Sequence, residues 1–226
     1  MLRGVREVAK NPIIKPSEHV FIAGATGTGK TYLARKYLAQ YEYVVAIDTK
    51  GMLQWPEVPK DEKIVVTKLT DLDKAGEKYS KIIYRPRFEE LNFEYYNSFF
   101  RWVYERKNTI CWVDEVMSIC PNPHKIPDYY KAILTRGRER KTAAWSLTQR
   151  PSGIPAVIMS ESTHLFIFRL NLPADRDKLS YITGSEKLEE RPDLLPGGGK
   201  DKYAFWYWQP ENDEPIRAKL IEKRRN

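Results

Sequence analysis

Gly24-Ala25-Thr26-Gly27-Thr28-Gly29-Lys30-Thr31 matches the phosphate-binding pattern G-x-x-x-x-G-K-[ST] at every specified position. What flanks it decides the fold. His19-Val20-Phe21-Ile22-Ala23 reads as a buried strand entering the loop, and Lys30 to Tyr41 carries Tyr32, Leu33, Tyr37 and Leu38 at helical spacing. The three glycines let the backbone curl so that successive N–H groups face a phosphate, while the following helix offers its positive N-terminal end to the same anion. Gly24 to Thr31 is therefore expected to cradle the phosphates of a nucleoside triphosphate. Lys30 would reach the β- and γ-phosphates and the Thr31 hydroxyl would bind Mg²⁺.

Outward from this loop, the 226 residues suffice for one large α/β core. Residues 1–18, with Pro12 and Pro16 and little periodicity, are expected to form an arm, and residues 19–226 a single domain. No apolar run approaches the roughly eighteen residues of a membrane span, and the N-terminal residues lack a signal-peptide core, so a soluble, intracellular protein is expected. The chain has two cysteines and three scattered histidines, which excludes a disulfide framework and a metal cluster as organising features. Net charge is +8 and the pI near 9.3, pointing to a polyanionic partner. Between Lys131 and Arg150 six basic residues face the single acid Glu139, and Lys219 to Arg225 forms a second basic cluster.

The remaining chain alternates strands with helices. Apolar runs at Tyr43–Ile47, Lys63–Thr67, Lys81–Arg85, Thr109–Val113, Thr142–Leu147 and His164–Phe168 read as strands. Between them, helices are expected over Phe88–Lys107, with Leu91, Tyr95, Phe99, Trp102, Val103 and Arg106 on one face, and over Asp128 to about Arg140, Ile154–Ser160 and Ala174–Thr183. Tyr203–Trp208 and Ile216–Ile221 read as a closing hairpin. This is the α/β pattern, a mainly parallel sheet flanked by helices.

In such sheets ligands lie beyond the carboxyl ends of the strands, so Asp114 and Glu115, closing their strand, should stand beside the phosphate loop. Adjacent residues point to opposite sides and take different work. Asp114 would hold the Mg²⁺ that Thr31 touches, and Glu115 would polarise the water that attacks the γ-phosphate. Gln149 follows another buried strand and should reach the same edge as a γ-phosphate sensor. Arg136, Arg138 and Arg140 precede that strand and so belong to the opposite edge. From there a guanidinium could stabilise the transition state only in a neighbour's site, as an arginine finger in a ring or filament.

Taken together these residues resemble the FtsK/HerA superfamily of DNA-pumping ATPases, most nearly the genome-packaging ATPases of membrane-containing icosahedral viruses. The resemblance runs from about Val20 to Arg169. It rests on Gly24–Thr31, Asp48-Thr49-Lys50-Gly51, Cys111-Trp112-Val113-Asp114-Glu115, and Gly137-Arg138 ahead of Thr148-Gln149-Arg150-Pro151-Ser152. It implies a RecA-like P-loop NTPase core of the additional-strand, catalytic-Glu type, with the Gln149 strand between the P-loop strand and the Asp114 strand. It also implies ATP and Mg²⁺ as cofactors, a homo-hexameric ring around double-stranded DNA gripped without regard to sequence, and Arg138 as the finger. A viral motor of this kind would work in the host cytoplasm, against capsid or portal-vertex proteins. For the DNA-facing cations the residues leave His124 and Lys125, or Lys223, Arg224 and Arg225, open. A small-molecule P-loop kinase and an assembly or secretion ATPase are the alternatives, the former having no need of Glu115 or Gln149.

Overall fold

Unbroken apolar runs, rather than alternating ones, produce a sheet covered on both faces. The computed structural model describes residues 12–195 and 197–220. Its strands are β1 (Val20–Ala23), β2 (Val44–Ile47), β3 (Lys63–Val66), β4 (Lys81–Tyr84), β5 (Ile110–Val113), β6 (Ala143–Thr148), β7 (His164–Phe168), β8 (Ala204–Trp208) and β9 (Ile216–Lys219). They form one nine-stranded sheet in the order β3-β4-β2-β5-β6-β1-β7-β8-β9. Neighbours from β3 to β7 run parallel, and β8 and β9 close the far edge antiparallel. β6 therefore lies between β1 and β5, as the resemblance implied.

Every residue of β1, β2 and β5 is buried, and successive side chains serve opposite layers. Val20, Ile22, Val44, Ala46, Trp112 and Trp145 pack with Leu33, Ala34 and Leu38 of α1 (Lys30–Leu38). Phe21, Ala23, Val45, Ile47, Cys111 and Val113 meet the other layer, built from α2 (Leu72–Lys78), α3 (Phe93–Arg106), α4 (Val116–Ile119), α5 (Asp128–Arg136), α6 (Val157–Ser160) and α7 (Pro173–Thr183). In that layer Phe100 of α3 stacks on Tyr130 of α5 with centroids 4.4 Å apart, and the Tyr130 hydroxyl pairs with Ser146 Oγ of β6 at 2.7 Å. A stack of this kind adds about 1 kcal/mol beyond its buried area. It locks α5, and with it the basic segment that follows, against the central strands.

Three local expectations change. The helix expected from Phe88 starts at Phe93, because Asn92 caps it by accepting from the N–H groups of Glu94 and Tyr95 at 3.1 and 3.2 Å, after a 3₁₀ turn over Phe88–Glu90. Its buried stripe is Tyr96, Phe99, Phe100 and Val103, so Leu91 and Tyr95 face outward. The basic helix ends at Arg136 and continues as a 3₁₀ turn over Gly137–Arg140. α2 and the short α4 had no counterpart in the sequence reading.

The described part of the expected arm packs on its own chain. The hydroxyls of Tyr37 and Tyr41 donate to the carbonyls of Pro12 and Ile14, at 3.2 and 2.8 Å. Residues 1–11 and the cations Lys223, Arg224 and Arg225 lie outside the described residues. Among the described residues no helix is long and apolar enough to cross a membrane.

Candidate nucleotide site

The loop after β1 is hooked to the strands on both sides: the Gly24 N–H donates to Thr148 O at 3.2 Å and the Ala25 N–H to Arg169 O at 2.8 Å. Beyond these anchors, the N–H groups of Thr26, Gly27, Thr28 and Gly29 find no backbone acceptor among the described residues. Gly29 holds φ at 110°, in the left-handed region where a side chain would be strained, and this turn leads directly into α1. The first turn of α1 carries no acidic side chain, although acids are favoured at helix N-termini. Donors without acceptors and a helix end free of acids together make an anion seat. Lys30 lies across it, Nζ donating to the Gly24 and Ala25 carbonyls at 2.7 and 3.2 Å. Burial pushes its ammonium down to about 8, against the opposing pull of Glu115 and Asp114.

Asp114 and Glu115 leave β5 beside this seat and diverge as expected. Thr31 Oγ1 donates to Asp114 Oδ1 at 3.1 Å. Burial holds the Asp114 carboxyl above its ordinary value, the neighbouring Asp48 and Glu115 charges adding to the rise against that hydrogen bond. These are two hard oxygen groups side by side, the donor set that Mg²⁺ prefers. Among the described residues no group of three or more His, Cys, Asp or Glu forms a metal site by itself, so a dication here would need phosphate oxygens as well.

Glu115 turns the other way and is 8 % exposed. Its Oε2 accepts from Lys50 Nζ at 3.0 Å and from Gln149 Nε2 at 3.2 Å. The Gln149 amide oxygen in turn accepts from Thr26 Oγ1 at 2.8 Å, so a chain of polar contacts runs from Lys50 through Glu115 and Gln149 back to the phosphate loop. Glu115 Oε1 is buried and without a partner among the described residues. The structure thus brings Lys30, Thr31, Asp114, Glu115 and Gln149 together.

Lys50 is the residue the sequence reading passed over. β2 pairs with β5 in the register Ile47↔Val113, so the segments leaving the two strands emerge side by side. The loop bearing Lys50 is held by buried Asp48, which accepts from the N–H groups of Met52 and Leu53 at 3.2 and 3.0 Å and from Arg85 Nε at 3.0 Å. Applying the carboxyl-end rule to β2, as it was applied to β5 and β6, would have found it.

The arginines lie where the order of elements puts them, at the other end of the sheet. Gly137 must be glycine because a Cβ there would strike the Thr142 carbonyl, and the Thr142 N–H donates back to Gly137 O at 2.8 Å. This tight turn sets Arg138 beside β7, where its Nη2 donates to Thr163 Oγ1 at 2.9 Å. Gln149 sits beyond the far end of β6, and that six-residue strand alone spans roughly 20 Å. Arg140 is engaged within its own chain, Nε donating to Tyr104 O at 2.7 Å with the guanidinium 4.4 Å above the Tyr104 ring. Beneath Arg138, His19 is buried and its Nδ1 accepts the Ala144 N–H at 2.9 Å. Burial, with the Arg138 charge adding to it, pushes the His19 imidazole down to about 4.

A mainly parallel α/β sheet with a phosphate loop after β1, the Asp-Glu strand two places away and a third strand between them is the fold of P-loop NTPases, and known structures share it. The chain is similar to the genome packaging NTPase B204 from Sulfolobus turreted icosahedral virus 2, solved with ATP-gammaS: TM-score 0.70 at 16 % identity, over 92 % of this chain and 100 % of that one. VirB4 of Thermoanaerobacter pseudethanolicus matches with a TM-score of 0.59 at 11 % identity, over 94 % of each chain. The conjugation coupling protein TcpA of pCW3 matches with a TM-score of 0.53 at 15 % identity, over 90 % of this chain and 60 % of that one. No known family's sequence model matches the chain, and no curated protein matches it by sequence.

Proposed function

We propose that this chain is an ATP-hydrolysing translocase of double-stranded DNA, of the kind that packages viral genomes. The observation that carries the reading is Glu115. It is a buried carboxylate beside an anion seat, steadied at one oxygen by Lys50 and Gln149 and with the other oxygen unpartnered among the described residues. That second oxygen suits the proton of a water attacking the γ-phosphate, the general-base role in hydrolysis.

In this reading the N–H groups of Thr26 to Gly29 and the Lys30 ammonium bind the phosphates, and Thr31 and Asp114 would hold Mg²⁺. The metal would supply neutralisation of the charge that develops on the phosphates. Gln149 links the phosphate loop to Glu115 through Thr26, so a change at the γ-phosphate reaches the base through one amide. Arg138 is the finger, acting on a neighbouring copy, because its own phosphate loop lies at the opposite end of β6. A closed head-to-tail ring, hexameric by resemblance, is the assembly that sets one end of the sheet against the other. Residues 1–18 are read as an arm and residues 19–226 as one ATPase unit.

The net charge of +8 suits a polyanion bound through its phosphates, without regard to sequence and with strong salt dependence. Fold likeness to a genome packaging NTPase and to a conjugation coupling protein supports the same partner. The test is phosphate release from ATP with and without duplex DNA of unrelated sequences. Turnover should rise with every duplex and the rise should fade as salt increases. Phosphate appearing only on an added small-molecule acceptor would favour a kinase, and turnover indifferent to DNA would favour an assembly or secretion ATPase.

A further inference from the structure

The catalytic groups occupy one side of the phosphate loop only. In the sheet order, β6, β5 and β2, which carry Gln149, Asp114, Glu115 and Lys50, lie on one side of β1, and β7, β8 and β9 on the other. A triphosphate seated with its γ-phosphate toward Glu115 directs its opposite end toward β7, β8 and β9.

There the antiparallel hairpin does something a parallel strand would not. β8 runs against β7 and β9 against β8, so the residue entering the hairpin, Tyr203, and the residue leaving it, Leu220, both arrive at the phosphate-loop edge of the sheet. The Leu220 N–H donates to Tyr203 O at 3.2 Å, fixing the two as a pair. Both border Gly29: a Cβ there would collide with Leu220 Cδ1 and stand in ordinary contact with Tyr203 Cδ1 at 3.7 Å. A cavity of about 330 Å³ opens between them and the loop, lined by Gly27, Gly29, Lys30, Thr31, Tyr32, Tyr203 and Leu220. Its polar groups are those of the phosphate seat, and its distal wall is two aromatic rings and one aliphatic side chain. Such a wall fits a flat, π-faced group joined to a phosphate chain.

We infer that Tyr203 and Leu220 form, with Tyr32, the nucleobase wall of the site, so that the closing hairpin is part of the substrate pocket. The inference rests on the nucleotide reading above, and the two are separated by comparing two ligands. Titration calorimetry on the full chain would measure binding of ATP and of inorganic tripolyphosphate, which has no base. Tyr203→Ala should weaken ATP roughly tenfold, the scale of losing one base–aromatic stack. It should leave tripolyphosphate binding unchanged, which also reports an intact fold. Tyr203→Phe should restore ATP affinity, and Leu220→Ala should weaken ATP by a smaller factor without affecting tripolyphosphate. Unchanged ATP affinity in both Tyr203→Ala and Leu220→Ala, or equal losses for the two ligands, would overturn the wall while leaving the phosphate loop in place. Failure of the wild-type chain to bind either ligand would remove the loop reading and the wall with it.

Discussion

The two ends of this sheet are built from similar residues and do opposite things with them. At the carboxyl end, charged and polar groups are left partly unsatisfied: four loop N–H groups lack backbone acceptors and Glu115 Oε1 lacks any partner among the described residues. At the amino end the polar side chains mainly tie the chain to itself, although His19 Nε2 is buried without a partner among the described residues. His19 accepts the Ala144 N–H, and His164 pairs through one ring nitrogen with the Tyr207 hydroxyl at 2.8 Å and through the other with Glu18 Oε2 at 3.1 Å. Buried polar atoms without partners occur elsewhere among the described residues too, but only beside the phosphate loop does an unpartnered carboxylate oxygen stand next to a run of loop N–H groups without backbone acceptors, the combination a ligand would complete. Arg138 breaks the pattern. It is an exposed cation at the structural end, held by a single side-chain bond to Thr163.

Substitutions at the carboxyl end should therefore act on binding and turnover, and those at the amino end on stability. The largest effect is expected from Lys30→Ala, which removes the cation lying across the anion seat and should abolish ATP binding in a calorimetric titration. Glu115→Gln comes next: ATP affinity should be retained while turnover falls about 100- to 10,000-fold, the range for losing a general base. A steady-state rate near wild type would take Glu115 out of that role.

The amino end should answer to pH instead. His19 titrates near 4 when folded against 6.5 when unfolded, so the unfolded chain binds the extra proton between those values. Stability from this group is complete above pH 6.5 and is lost as pH falls toward 4, by roughly 3 kcal/mol in all. Unfolding midpoints across this range should show the slope in the wild type. His19→Gln keeps an acceptor for Ala144 but cannot titrate, so its slope should be flatter. The smallest effect belongs to Lys50→Ala. Lys50 is half exposed, so stability should hardly change, while turnover drops about tenfold as Glu115 loses its orienting hydrogen bond. Lys50→Arg should recover part of that rate.

Contiguity explains what could be read from the chain and what could not. Gly24 to Thr31 and the Asp114-Glu115 pair each put their chemistry in adjacent residues at the end of an apolar run, so strand direction alone placed them. The carboxyl-end rule puts Lys50 on the same rim, but its ion pair with Glu115, 65 positions away, exists because β2 lies next to β5, a pairing that no local pattern encodes. The closing hairpin is legible in the sequence, but that Tyr203 and Leu220 arrive beside the phosphate loop needs its sense relative to β7. In α3 aromatics occur on more than one face. The stripe that is buried, Tyr96, Phe99, Phe100 and Val103, is the one that packs into the core with Tyr130 of α5, a tertiary choice that the helix's own pattern leaves open.

The central claim is that the two ends meet, Arg138 of one copy completing the phosphate loop of the next. Arg138→Ala and Glu115→Gln subunits, each nearly inactive alone, should regain turnover when mixed. A neighbour with intact Arg138 then serves a loop with intact Glu115, and the steady-state ATPase rate should peak at an intermediate ratio. Two variants that each bind ATP and co-assemble, yet show no activity above the pure preparations at any ratio, would contradict it.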